Sequence, residues 1–83
     1  MSQGIIELYL KGMQPEEVRQ TINQELEKAS SDIFRLRLVH GTDNGTDIRD
    51  MIYVDYQPET HPKIIRVEDG WNEGITELVL KDY

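Results

Sequence analysis

The sequence predicts a two-layer α/β sandwich of 83 residues, with two helices on one face of a four-stranded mixed sheet. Segments with strand-like and helix-like spacing follow one another in the order β-α-β-α-β-β. The strands alternate apolar and polar residues, which favours a sheet with one open face over a sheet that is covered on both sides. Right-handed crossovers would make the first three strands parallel and the last an antiparallel return.

The first half of the chain predicts a strand, a helix and a second strand. Residues 5–10 (IIELYL) have the composition of a strand. A helix is predicted to begin at Pro15, because proline suits the first helical position and acidic residues follow it. Its apolar positions recur at helical spacing: Val18, Ile22, Leu26 and Ala29. Residues 33–39 (IFRLRLV) predict the second strand.

The second half predicts a loop, a helix and two strands. Residues 40–46 (HGTDNGT) form the loop, and the helix that follows is expected to end before Pro58 and Pro62. The apolar positions of this helix are Ile48, Met51, Ile52 and Tyr56. Residues 63–68 (KIIRVE) and 75–81 (ITELVLK) predict the last two strands, joined by the turn DGWNEG.

Composition limits the functional classes. We expect one domain spanning residues 1–83, located in the cytoplasm, because the chain has no cysteine, no apolar run of membrane-spanning length and no secretory leader pattern. The net charge is −7, from 16 acidic and 9 basic residues. Such a chain does not attract nucleic acid or an anionic membrane over long range, so any nucleic-acid contact must come from a local cluster.

The candidate site lies at one rim of the predicted sheet. In open α/β sheets, ligands bind beyond the carboxyl ends of the parallel strands. Those ends are residues 11–13 and 40–46, and the turn at 69–74 should reach the same rim. The candidate binding residues are Lys11, Gly12, His40, Gly41, Asn44, Gly45, Arg49, Trp71, Asn72 and Gly74.

Several of these residues allow more than one interpretation. The glycine loop is either a plain turn or an anion site at a helix N-terminus, and Asp43 and Asp47 weigh against an anion. His40 could be a general base, a phosphate donor or a structural residue. With Lys11 and Arg49 it forms a basic cluster that suits a phosphodiester.

Two further features are also open to two interpretations. Trp71 could stack on a base or pack over its own turn, and packing is slightly favoured. His61 is interpreted as an exposed turn residue. Three arginines of the open sheet face could contact nucleic acid, but pairing with three glutamates across the strands is favoured. These residues are Arg35, Arg37, Arg66, Glu7, Glu68 and Glu77.

Four segments together resemble the Smr (small MutS-related) domain family over nearly the whole chain. They are LYLKGM, RLRLVHGTDNGTDIRDMI, HPKIIRV and NEGITELVL. The resemblance is to the short, stand-alone bacterial form, and it implies the same β-α-β-α-β-β fold. It also implies nucleic-acid binding, to DNA or RNA, and endonuclease activity in which His40 would be catalytic. A ribosome is a further partner that the resemblance implies, whereas a protein partner is suggested by the open, charged sheet face and the acidic surface of the chain.

The chain departs from the family motifs at three positions and by one extra residue before Ile48 and Arg49. Tyr9 and Lys11 stand where the first motif has aspartate and histidine, and Asp43 replaces the middle glycine of the second. Lysine binds phosphate but is a poor base at neutral pH, since its ordinary pKa is about 10.4. We therefore predict nucleic-acid binding with weak or absent cleavage.

Two alternatives remain at this stage, an active endonuclease that uses His40 and a non-enzymatic protein-interaction module. The sequence predicts no cofactor and no metal ligands, while a divalent metal remains open for the endonuclease alternative. The oligomeric state also remains open.

Overall fold

The computed structural model describes residues 4–42 and 47–81, and within them the chain forms the predicted succession of strands and helices. The elements are β1 (Ile5–Tyr9), α1 (Pro15–Lys28), β2 (Arg35–Val39), α2 (Asp47–Asp55), β3 (Arg66–Asp69) and β4 (Ile75–Val79). The α/β fold class predicted from the alternating pattern is thereby confirmed.

The four strands form one mixed sheet in the order β1-β2-β4-β3. Strand β1 pairs parallel to β2, and β4 pairs antiparallel to both β2 and β3. Strands β1, β2 and β3 therefore run in one direction, as predicted, and β4 returns between the last two. Because of this arrangement, the carboxyl ends of three strands and the beginning of β4 meet at a single rim.

One face of the sheet packs against the two helices and forms the core. The alternation in β2 buries Leu36 and Leu38 completely, and Leu78 of β4 joins them from the neighbouring strand. The helices contribute Val18, Ile22, Leu26, Ile48 and Ile52, and Tyr56 follows directly after α2. No helix in the described part of the chain is long and apolar enough to cross a membrane.

Helix α1 begins as its sequence predicts. Pro15 occupies the first turn, where its missing N–H costs no hydrogen bond. The backbone N–H of Gln14 donates to the Glu17 carboxylate at 2.9 Å, which is half of a capping box. Glu16 and Glu17 also place negative charge at the positive end of the helix. Residues 43–46, which precede α2, lie outside the described range.

The strands are shorter than the apolar runs suggested. The predicted second strand began at residue 33, but Ile33 N–H donates to Ser30 O at 3.0 Å in a turn, and β2 begins two residues later. The predicted third strand began at residue 63, but Ile64 N–H donates to His61 O at 2.9 Å. Lys63 points away from the sheet, since its Nζ donates to the Leu26 carbonyl of α1 at 2.5 Å. At the beginning of both predicted strands, at Ile33 and Ile64, the backbone N–H therefore bonds within a turn and not to a neighbouring strand.

The other face of the sheet carries the predicted pairing of arginine with glutamate. The central residue is Glu77, which is buried and accepts hydrogen bonds from Arg35 and, at 2.9 Å, from Arg37. Outward from this pair, Arg37 approaches Glu7 at 3.4 Å and Arg35 approaches Glu68 at 3.3 Å. Arg66 completes the row by contacting Glu68 at 2.6 Å. We call this row of three arginines and three glutamates the sheet-face ladder.

Candidate functional site

The carboxyl ends of β1 and β2 meet the β3–β4 turn at one rim, as the sequence predicts. Leu10 N–H donates to Val39 O at 2.8 Å, which holds the end of β1 beside β2. The amides of His40 and Gly41 both donate to Gly74 O at 2.9 Å, which joins the loop after β2 to the turn before β4. These bonds fix three loops relative to one another through backbone groups alone.

The three loops enclose an open depression of about 620 Å³, which we call the rim depression. The described residues that line it are Lys11, Val39, Gly41, Thr42, Trp71, Asn72, Glu73, Gly74 and Ile75. Five of the residues proposed from the sequence are among them: Lys11, Gly41, Trp71, Asn72 and Gly74. The depression is shallow and accessible, so it suits an extended ligand better than an enclosed small molecule.

Glycines allow the loops of the rim to touch. Gly41 has φ +74°, a conformation that residues with a side chain rarely adopt. A Cβ atom at Gly41 would also lie 3.0 Å from the Lys11 side chain, and one at Gly74 would lie 3.1 Å from the Gly41 Cα. Gly12 needs glycine for its φ of +82° alone, because a Cβ there would meet nothing within 4 Å. The glycines at 41 and 74 therefore bring Lys11 and the two loops into direct contact.

His40 lies beneath the rim and not on it. Its side chain continues the core-facing phase of β2, and the residue is 6% exposed. The Nδ1 atom is 2.8 Å from the Gly41 carbonyl oxygen, and Nε2 is 2.8 Å from the Thr76 hydroxyl. Since a carbonyl oxygen only accepts, Nδ1 carries the proton in the neutral ring and Nε2 accepts from Thr76. The two ring nitrogens therefore connect the loop after β2, through Gly41, with strand β4, through Thr76.

Lys11 and Trp71 are two of the exposed side chains that line the rim depression. Trp71 is 72% exposed, so the prediction that it packs over its own turn is wrong. Within residues 4–42 and 47–81, no carboxylate lies within ion-pairing distance of Lys11, whose stem rests on Gly41. The depression thus combines an exposed indole with an ammonium group that has no carboxylate partner in the described chain.

Arg49 points to a different partner and does not line the rim depression. Its Nη2 donates to Asp69 at 2.8 Å, and its guanidinium lies 5.1 Å from the centre of the Tyr53 ring. Tyr53 donates its hydroxyl to the same carboxylate at 2.5 Å. This hydrogen bond, followed by the one from Arg49, lowers the pKa of Asp69. Burial, followed by the bond to Asp69, raises the pKa of Tyr53 to about 12.

The remaining candidates from the sequence have varied outcomes. Gly12 shapes the loop after β1 without lining the depression, whereas Asn44 and Gly45 lie outside the described residues. His61 is half-buried and not a free turn residue, because its ring stacks on Tyr56 with 4.7 Å between ring centres. Across the described chain, no group of three potential ligands from His, Cys, Asp and Glu could hold a metal ion.

Sequence reasoning missed four described residues that line the depression, Val39, Thr42, Glu73 and Ile75, and it also missed Thr76, which contacts His40. A signal for Thr76 was present, since it is the one polar residue among the core-facing positions 76, 78 and 80 of the last predicted strand. A buried hydroxyl needs a partner, and His40 lies on the strand beside it. Glu73 lies in the turn at residues 69–74, but the sequence pattern of a turn does not show which of its side chains face the depression.

Comparison with known proteins identifies the fold. No family model and no curated protein matches the chain. Among solved structures, the chain is similar to the crystal structure of the Smr domain of Thermus thermophilus MutS2, with a TM-score of 0.76 and 23% sequence identity. The match covers 93% of this chain and 99% of that one. The chain therefore has the fold of an Smr domain, as its motifs implied.

Proposed function

We propose that this domain binds single-stranded nucleic acid, and RNA in particular, at the rim depression without cutting it. The observation that carries the proposal is the pairing of Trp71, which is 72% exposed, with Lys11 in one open depression. An exposed indole stacks on any base, and a lysine without a carboxylate partner suits a backbone phosphate. Gly41 and Gly74 let the ligand approach the backbone closely.

The charge of the chain sets the expected character of the interaction. With a net charge of −7, the domain repels a polyanion at long range, and Lys11 is the one positively charged side chain among the described residues that line the depression. Each phosphate that is neutralised contributes a slope of about −0.7 to the salt dependence for single strands. Binding should therefore depend weakly on salt, with base stacking as the main contribution.

The side chains at the rim favour binding over cleavage. A general base must reach the proton that it removes, so its nitrogen or oxygen has to be available. Both nitrogens of His40 are occupied by Gly41 and Thr76. Tyr9 lies where the Smr motif has an acid, and its hydroxyl donates to Glu7 at 2.7 Å on the open sheet face. An endonuclease role for His40 would require the ring to leave one of its two partners.

The test is a titration of isotope-labelled protein with a short unpaired RNA at low ionic strength. We expect amide signals to shift at residues 11–13, 40–42 and 70–74, with quenching of Trp71 fluorescence. Trp71→Ala should weaken binding about tenfold or more, since stacking contributes about 1–3 kcal/mol per base. Lys11→Ala should lower the affinity less and flatten the salt dependence by about one phosphate.

Val54→Ala is the matched control, because Val54 is an exposed apolar residue of α2 outside the depression. It should bind RNA as the parent does. If rim amides stay unshifted while the sheet face responds to a protein partner, the interaction-module alternative replaces this proposal. RNA cleavage in the presence of a divalent metal would replace this proposal by the endonuclease alternative, and its loss in a His40→Ala protein that keeps the parent's amide spectrum outside the rim would assign the activity to His40.

A further inference from the structure

Glu73 places a carboxylate inside a depression that is proposed to bind a polyanion. Glu73 and Lys11 both line the rim depression, yet they form no ion pair with each other. Glu73 is exposed and has no carboxylate-binding partner elsewhere in the described chain. Among the described residues that line it, the depression therefore has one positive and one negative side chain, and a phosphate satisfies only the first.

The turn that carries Glu73 is closed by its own hydrogen bonds. Asn72 accepts the Gly74 N–H through its side-chain oxygen at 2.7 Å and the Ile75 N–H through its carbonyl at 3.2 Å. Gly70 N–H donates to Ile75 O at 2.8 Å at the base of the turn. Asn72 is thus committed to the turn, whereas the side chains of Trp71 and Glu73 on either side of it are exposed.

A carboxylate beside a stacking platform discriminates among bases by their hydrogen-bonding edges. Guanine presents two adjacent donors on its Watson–Crick edge, N1–H and the N2 amino group, which match the two oxygens of a carboxylate. Adenine and cytosine place an amino donor next to a ring-nitrogen acceptor, and uracil flanks its single N–H with two carbonyl oxygens. In those three bases an acceptor faces the carboxylate and repels it. Charge-assisted paired hydrogen bonds are about twice as strong as neutral ones, so guanine is favoured.

We propose that the rim depression selects an unpaired guanine nucleotide, with Glu73 accepting from its N1–H and N2 amino group, Trp71 stacking on the base and Lys11 contacting the phosphate. The selection rests on the proposed function, since it assigns a base preference to the same site. It also gives the acid at the rim a role, because a carboxylate that repels phosphate orients the base towards itself and the phosphate towards Lys11. Glu73 then lowers the overall affinity of the rim depression for a polyanion but increases its selectivity for one base.

The experiment compares pentaribonucleotides that differ only at the central base, in a uridine background, by Trp71 fluorescence. The guanine oligomer should bind about tenfold more tightly than the adenine or all-uridine oligomer, because one bidentate pair discriminates by about that factor or more. The inosine oligomer, which keeps N1–H and lacks the N2 amino group, should lie between them. This order separates recognition by a carboxylate from a preference for large purine rings.

Glu73→Gln tests the assignment. It should remove most of the guanine preference while leaving the affinity for the adenine oligomer unchanged or slightly higher, because a negative charge is lost. Glu59→Gln is the matched control, since Glu59 is exposed in the segment between α2 and β3 and carries the same charge. That variant should keep the parent order of affinities.

The outcomes distinguish this inference from the proposed function. If no oligomer changes the fluorescence of Trp71 or the amide signals of the rim, the proposed function itself fails. If all oligomers bind equally, or if Glu73→Gln keeps the full preference for guanine, binding stands and the inference is overturned. Equal binding of the inosine and guanine oligomers would remove the N2 amino contact from the inference.

Discussion

The open face of the sheet and the rim depression are both charged, but they use charge in opposite ways. On the sheet face, Arg35 and Arg37 contact glutamates of other strands, Arg66 contacts Glu68 of its own strand, and Glu77 is buried between Arg35 and Arg37. In the rim depression, Lys11 and Glu73 share a surface without pairing. A paired ladder contributes to the fold and offers little to a ligand, whereas unpaired groups around a stacking platform are available for binding. The number of basic residues on a surface therefore does not identify the site.

The largest expected effect comes from breaking the ladder at its centre. Glu77→Ala removes the carboxylate that Arg35 and Arg37 share, and it leaves both guanidinium groups without that partner. Removing one partner of a buried pair costs about 3–5 kcal/mol, and we expect the lower end because the arginine side chains are 23% exposed. Urea unfolding measures the loss of stability.

Glu59→Ala is the control for this change, since it deletes an exposed acid and should alter stability by less than about 0.5 kcal/mol. A Glu77→Ala protein as stable as this control would show that the ladder contributes nothing to the fold. The same variant also sharpens the comparison between the two surfaces. In Glu77→Ala, Arg35 and Arg37 keep only their outer partners Glu68 and Glu7, so the sheet face should gain RNA-induced amide shifts that the parent lacks if the shared carboxylate is what withholds these arginines from a ligand.

The next effect concerns how the rim is held in place. Thr76→Val keeps the shape of a fully buried residue but removes the hydroxyl that donates to His40 Nε2. An acceptor left without a partner in the interior costs about 1–3 kcal/mol, so unfolding should become easier by roughly 1.5 kcal/mol. Nitrogen shifts of the neutral imidazole should show the proton on Nδ1 in His40 of the parent.

Thr21→Val provides the comparison for Thr76→Val, because the Thr21 hydroxyl donates to Glu17 O at 2.9 Å on the exposed side of α1. Its loss should cost little, since water replaces the bond. A His40 ring that carries its proton on Nε2 would contradict the contact with the Gly41 carbonyl. It would also reopen the catalytic role for this residue, because Nδ1 would then be a free acceptor.

Local patterns in the sequence were sufficient to predict the helices and strands and to predict which side chains of each strand face the core. The alternation of β2 predicted which side chains enter the core, and Pro15 marked the beginning of α1. The position of β4 between β2 and β3 was not predicted, because strand order depends on contacts between segments far apart in the chain. The direction of each strand can be predicted from the length and handedness of the connection that precedes it, whereas the order of the strands in the sheet depends on how distant segments pack.

The location of the candidate site was predicted correctly, but only some of the residues that line it were predicted. The rim followed from strand direction, and five of its lining residues were among the candidates. Arg49 was expected beside Lys11, but its carboxylate partner Asp69 lies twenty residues away and left no local signal. For Trp71, packing over its own turn was slightly favoured over stacking on a base. Its turn is instead satisfied by backbone bonds and the Asn72 side chain, which leaves the ring exposed.

The smallest effect concerns the outer glutamates of the ladder. The hydrogen bond from Tyr9, followed by that from Arg37, lowers the pKa of Glu7 below 4.5, and the bond from Arg66, followed by that from Arg35, lowers the pKa of Glu68. A carboxyl whose pKa is lower in the folded state stabilises the protein above its unfolded-state pKa, and this contribution disappears as the pH falls through the folded-state value. We therefore expect stability to decline as the pH falls below about 4.5.

Carboxyl carbon shifts measure both titrations directly, and urea unfolding at several pH values measures their consequence. Glu68→Gln should flatten the decline in stability below pH 4.5, because this variant no longer takes up the proton that links folding to pH at that position. Glu59→Gln, outside the ladder, should leave the decline as steep as in the parent. A pKa of Glu68 at or above 4.5 in the folded protein would contradict this prediction. It would show that Arg66 and Arg35 do not pair with Glu68 in solution, so that the outer ladder resembles the unpaired charges of the rim.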